Sequence, residues 1–223
     1  MNVLAVESST QACSVSLRVG QHSFTEFKMA PQQHANLMLS MVESVLEKAQ
    51  LDEHSVDALA FSEGPGAFTG VRIAAGVVQG LALGWQKPVQ AVSTLEAMAW
   101  QAYQIHKQTD WIALLDARMH EVYLQVCRIE KDHLDSEAPQ LMSEAAVYEL
   151  LNQFPHIKCG VGDIQAGYPQ LSAQFDIWLD QNPSAEAVAI IAQQRPGAFF
   201  DLSQQLPMPI YLRNNIADKP KPK

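Results

Sequence analysis

Cysteine is scarce in this 223-residue chain, and its three copies, Cys13, Cys127 and Cys159, lie far apart. None belongs to a C-x-x-C pair or has a histidine at ligand spacing, which excludes a disulfide scaffold or zinc knuckle and predicts buried free thiols. Charge is sparse as well: 17% of residues are Asp, Glu, Lys or Arg, and the balance is acidic, with a formal net charge of −9. Such a chain lacks the basic face of an autonomous nucleic-acid binder. Its basic exception, Lys219-Pro220-Lys221-Pro222-Lys223, reads as a short solvated tail. Long apolar runs are missing too. Met1 leads within two residues into VLAVESS, too short for a signal h-region and without a basic n-region, and no run reads as a membrane span. The expected compartment is the cytoplasm.

The common catalytic motifs are absent. His120-Glu121 is followed by Val122-Tyr123-Leu124 rather than by the second histidine of H-E-x-x-H, and there is no G-x-S-x-G elbow. No Cys/His pair stands at a recognisable spacing, so neither a catalytic residue nor a metal ligand is assigned.

What is present centres on Asp57 to Gly84, DALAFSEGPGAFTGVRIAAGVVQGLALG. An apolar run, Ala58 to Phe61, fits a buried strand. The chain breaks at Gly64-Pro65-Gly66 and resumes from Val71 with helical periodicity, Thr69 being the expected cap. A loop of this kind at a helix N-terminus can hold phosphate, because free N–H groups and the helix dipole favour an anion. Neither a Walker loop nor G-x-G-x-x-G is matched, however, and Arg72 is the one nearby cation. Phosphate contact and a purely structural turn both remain open readings.

Gly76, Gly80 and Gly84 recur every fourth residue, so they share one helix face, although each costs about 1 kcal/mol of helix propensity. Close packing of another element would offset that cost. It could come from within the chain or from a second subunit.

With 48% hydrophobic residues the chain can bury a sizeable core. Val3–Val6, Cys13–Val19 and Ser23–Met29 read as a three-stranded meander, and Gln32–Gln50 as a helix with a broad apolar stripe. In that helix His34 reads as a cap or surface residue. Pro88–Val92 follows as a strand and Thr94–His106 as a helix. The pattern then begins again: AVESSTQACSVSL is echoed by LLDARMHEVYLQV, strand, acid, polar turn, strand. This echo implies an internal duplication of an α/β unit. Ser143–Gln153, Ile157–Val161 and Ala185–Gln194 complete an alternating second half. The expected division is 1–107, 108–213 and a basic tail, 214–223. Glu7, Ser8, Ser9, Thr10, Gly64, Gly66 and Asp116 are the candidate nucleotide-facing positions, with Glu7 and Asp116 placed to face one cleft.

Together LAVESSTQACSVSL, DALAFSEGPGAFTGVRIAAGVVQGLA, PVQAVSTLEAMA, LLDARMHEVYLQV and the closing PIYLRNN resemble the TsaB (YeaZ) family. GPGAFTGVR is the most specific block. The resemblance implies a duplicated actin-like, sugar-kinase-like α/β fold. It also implies a role beside a catalytic paralogue, TsaD, and an ATPase, TsaE, in making threonylcarbamoyladenosine on tRNA. The TsaD pattern carries a metal-binding His-x-x-x-His where this chain has Thr94 and Met98, neither able to replace a neutral imidazole. The resemblance therefore implies a non-catalytic scaffold or activating subunit, reaching tRNA only through the complex. No cofactor is expected to be firmly held, with ATP left to the complex interface. Pairing with TsaD or with a second copy would use Leu37, Met38, Met41 and Val45 on one helix and Ala75, Gly76, Gln79, Gly80 and Leu83 on the next. A stand-alone ATPase or phosphotransferase of the same fold, or a peptidase-like protein, are the alternatives.

Overall fold

A computed structural model describes residues 1–213; the basic tail, 214–223, lies outside the described residues. The first half holds β1 (Asn2–Glu7), β2 (Ala12–Val19), β3 (His22–Met29), α1 (His34–Ala49), β4 (Ala58–Gly64), α2 (Phe68–Trp85), β5 (Val89–Ser93) and α3 (Thr94–His106). The second holds β6 (Asp110–Arg118), β7 (Glu121–Glu130), β8 (His133–Ser136), β9 (Gln140–Ser143), α4 (Glu144–Gln153), β10 (Cys159–Gly162), α5 (Pro169–Ser172), β11 (Ile177–Asp180) and α6 (Ala185–Gln194).

Two sheets result, and they repeat one plan. The first runs β3-β2-β1-β4-β5, with the β1–β2 and β2–β3 pairs antiparallel and β1–β4 and β4–β5 parallel. The second runs β8-β7-β6-β10-β11 with the same alternation of directions, β9 adding to β7. The echo read in the sequence is thus a repeat of topology, β6 standing for β1 and β10 for β4. This is the duplicated actin-like, sugar-kinase-like α/β fold.

Side-chain alternation along each strand divides the interior into three clusters. Leu4 and Val6 of β1 face outward against Met38, Met41, Val42 and Val45 of α1 and Ala74, Ala75 and Val78 of α2. Val3 and Ala5 face the opposite way, into a central layer made by α3 and α6. The outer face of the second sheet, with Ile112, Leu114 and Leu124, is covered by α4 and the segment around α5.

The central layer is crossed. Helix α3 follows the first sheet in sequence but packs chiefly on β6 and β7, whereas α6, from the second half, packs on β1, β2 and β4. A cut after residue 107 separates the sheets but not the layers. Serines cap the helices of this region. Ser93 Oγ accepts from the Leu95 N–H at 3.2 Å, and Ser184 Oγ from the Glu186 N–H at the same distance.

Several sequence expectations need correction. Helix α2 begins at Phe68 rather than Val71, and the residue before it is Ala67, so Thr69 is not the cap. His34 is buried, its Nε2 hydrogen-bonded to the Ala12 carbonyl at 3.2 Å, and is not a surface residue. By length and mean hydropathy of 1.2, α2 does reach the composition of a membrane span. That figure comes from valine, leucine, alanine and isoleucine, and one side of the helix is seated on the first sheet. All three cysteines are free and buried, as expected.

Candidate functional site

Two features stand out: a cleft between the halves and the open face of α2. The cleft, of about 1420 Å³, is lined by Ser9 and Thr10 from the β1–β2 turn, Gly66 to Val71 from the start of α2, Asp116 to Arg118 from β6, Asp163, and Ile210 to Arg213.

The two loops expected to face a nucleotide are sewn to each other. The Ala67 N–H donates to the Ser9 carbonyl at 2.6 Å, and Ser8 Oγ donates to the Gly70 carbonyl at 2.9 Å. A Cβ on Gly66 would come within 2.5 Å of the Ser9 carbonyl oxygen, and one on Gly70 would overlap that of Ser8. These glycines are required by the close passage of one backbone over another.

Glu7 lies behind this seam rather than in the cleft, a correction to the pairing expected with Asp116. It is 0% exposed, and its carboxylate accepts from the Ser62 hydroxyl and the Ser9 N–H. Burial pushes its pKa up to about 7, against the lowering effect of the Ser9 hydrogen bonds. Ser8 is likewise buried, and Gly64 is covered by the Val71 and Ile210 side chains. Of the seven candidate positions, Ser9, Thr10, Gly66 and Asp116 line the cleft. Asp116 is not free there. Its N–H donates to Asp163 Oδ1 at 2.9 Å, and its own carboxylate accepts from the Arg118 N–H and guanidinium, both at 2.8 Å.

The glycine face of α2 has the opposite character. Among the described residues, nothing lies within 4 Å of a Cβ built on Gly76, Gly80 or Gly84, so none of them fills the groove these glycines make. Leu83, on the same helix, is 74% exposed, and Leu39 of α1 is 55% exposed. Of the nine residues expected at a pairing surface, Met38, Met41, Val45 and Ala75 belong to the chain's own core and are corrected to structural residues. Leu37 packs partly against that core, and Gln79 donates from Nε2 to the Pro207 carbonyl at 2.5 Å. Gly76, Gly80 and Leu83 are open. The stripe Leu37–Val45 was legible as apolar, but periodicity does not tell an inward stripe from an outward one when α1 has both. Leu39, which lies off that stripe, is the exposed leucine of α1 that the sequence reading does not single out.

Also unread was a buried polar network in the central layer. Arg195 holds Glu96 by two hydrogen bonds, at 2.9 and 3.0 Å, and Ser136 Oγ donates to Glu96 at 2.6 Å. Gln125 donates to Ser136 at 3.1 Å and accepts from Ser93 at 2.6 Å. Burial, together with the Glu96 charge, raises the pKa of nearby Glu63. Thr94 and Met98 are both fully buried beside this network on α3.

Comparison with known proteins gives this geometry a family. A tRNA N6-adenosine threonylcarbamoyltransferase (TsaD) family model matches residues 28–175. The tRNA threonylcarbamoyladenosine biosynthesis protein TsaB of Escherichia coli K12 is 33% identical over 228 residues, spanning 100% of this chain and 99% of that protein. The chain belongs to the TsaB (YeaZ) family. The Haemophilus influenzae TsaB is 35% identical, over 100% of this chain and 98% of its own. Among solved structures, YeaZ from Pseudomonas aeruginosa superposes with a TM-score of 0.81 at 33% identity, covering 95% of this chain and 99% of that one.

Proposed function

We propose that this chain is a non-catalytic scaffold or activating subunit in tRNA threonylcarbamoyladenosine biosynthesis in the cytoplasm. It pairs through α2 with a TsaD-like catalytic paralogue, or with a second copy of itself, and works with a TsaE-like ATPase. The observation that carries this reading is the unfilled glycine groove of α2. Three glycines in one helix cost about 3 kcal/mol relative to alanine, and no neighbour among the described residues uses the space they leave. A helix from another subunit would use it, with the exposed Leu83 and Leu39 as apolar contacts. Thr94 and Met98 support the non-catalytic assignment, since neither offers the nitrogen ligand that a catalytic histidine pair would. The net charge of −9 supports leaving tRNA backbone contacts to the partner, and the sewn loops support leaving ATP to the complex interface.

The test is sedimentation of the purified chain, alone and mixed with the TsaD-like protein of its own organism, each with and without Gly80→Arg. The expected result is a 1:1 complex formed at the expense of a homodimer, with both lost in the variant. A monomer indifferent to the paralogue overturns the reading.

A further inference from the structure

After α6 the chain turns back over the first half, and residues 210–213 run along the cleft. Phe200 exchanges two backbone hydrogen bonds with Val89, each 2.8 Å. Pro207 accepts from Gln79, and the Ile210 N–H donates to the Glu63 carbonyl at 2.8 Å. Pro207 and Pro209 point inward and are buried, while Leu206 and Met208 between and beside them are exposed, the alternation of an extended strap. Tyr211 then packs against Phe68, with the Arg72 guanidinium against both rings.

Two residues later the strap crosses to the other half. The Arg213 guanidinium donates to the Ala117 carbonyl at 3.2 Å, to the Arg118 carbonyl at 3.4 Å and to the Glu121 carboxylate. These groups belong to the β6–β7 hairpin, whose backbone is unusual. Arg118, Met119 and His120 have φ of 63°, 56° and 61°, three successive non-glycine residues in the left-handed region. Each such residue costs about 1 kcal/mol or more, so the hairpin needs external support to keep this shape. Arg213 supplies it from a segment otherwise anchored on the first half, and Ile210 to Arg213 form one wall of the cleft.

We propose that the segment from Phe199 to Arg213 is a latch across the cleft, with Arg213 as its catch. While the catch is set, the hairpin keeps its left-handed turn and the two halves stay at one separation. When it is released, the hairpin relaxes and the cleft widens. All three contacts fall on one guanidinium nitrogen, Nη2, so its N–H groups are shared among two carbonyls and a carboxylate, and the fixed charge of the group favours the carboxylate. The latch is a property of the isolated chain and holds whichever partner meets α2.

Hydrogen exchange of Arg213→Ala, Arg213→Lys and the unaltered chain tests it, together with the spin-label distance between Gln86→Cys and His156→Cys, both exposed positions on opposite halves. The native thiols are buried and do not compete for label. For Arg213→Ala we expect amide exchange across Ala117–Tyr123 at least tenfold faster, unchanged exchange in α3, and a distance distribution about twice as wide. Arg213→Lys should fall between. Unchanged hairpin exchange overturns the proposal. So does faster hairpin exchange with an unaltered distance distribution, which would make Arg213 a turn brace only. Equal acceleration in α3 also overturns it, since Arg213 would then stabilise the whole fold.

Discussion

Gly70 passes so close to Ser8 that a Cβ at position 70 would overlap the Ser8 carbonyl oxygen, while Ser8 Oγ donates to the Gly70 carbonyl from the other side. This contact closes the seam between the β1–β2 turn and the start of α2, and backbone on both sides leaves no flexible group to yield. Gly70→Ala should therefore destabilise the chain by about 2–4 kcal/mol, read as a lower denaturation midpoint in urea. The matched change Gly20→Ala is no suitable control, because Gly20 has φ of 58°; Gly197→Ala, with open space around it, is.

The glycines of the open face behave differently. Gly76→Ala, Gly80→Ala and Gly84→Ala meet no atom within 4 Å, so each should raise the stability of the isolated monomer by about 0.5–1 kcal/mol. If another helix beds into the groove, the triple variant should weaken pairing at least tenfold in sedimentation. Stabilisation without loss of pairing would place the interface elsewhere.

Glu7 predicts a pH dependence of known sign. Its pKa is raised from an ordinary glutamate value to about 7 by burial, so the folded state holds its proton where the unfolded state has lost it. The corresponding stability is complete below about pH 4.5 and is lost as pH rises through about 7, amounting to roughly 3 kcal/mol. Glu7→Gln keeps the shape and removes the titration. Denaturation midpoints at pH 5 and 8 should differ less for the variant, which should be the more stable chain at pH 8.

Arg195→Met should cost about 2–3 kcal/mol, because it leaves the nearly buried Glu96 carboxylate without its cation. The pair Arg195→Met with Glu96→Gln should recover much of that loss, a coupling measurable by a double-mutant cycle in guanidinium.

The fold was legible where apolar period and caps agreed. The bounds of α3 and α6 match those expected from composition and pattern, and the structure adds that Ser93 and Ser184 cap their first turns. The repeat was legible because β6–β7 reproduces the strand, acid, turn and strand of β1–β2. Strands β8, β9 and β11 were not, since four residues are too few to show alternation and their place is decided by pairing with β7 and β10. Of the site, the glycine face was legible from spacing, but whether its space was filled depends on tertiary neighbours. Glu7 looked like a turn acid in an exposed loop. It is buried because α2 folds back over it, a relation between residues sixty positions apart. Arg213 sits in a quoted motif, PIYLRNN, but nothing in the motif points to the hairpin it holds.

The crossing of α3 and α6 bears on synthesis. Most of the inner face of the first sheet lacks its cover until residues 185–194 have left the ribosome, because α6 is the helix that seats on β1, β2 and β4. Helix α3, made early, touches β4 and β5 but lacks its larger seat until β6 and β7 exist. A nascent chain of 107 residues is thus an incomplete sandwich with one greasy side showing, and commitment to the native state comes late, when the second half's last helix threads home.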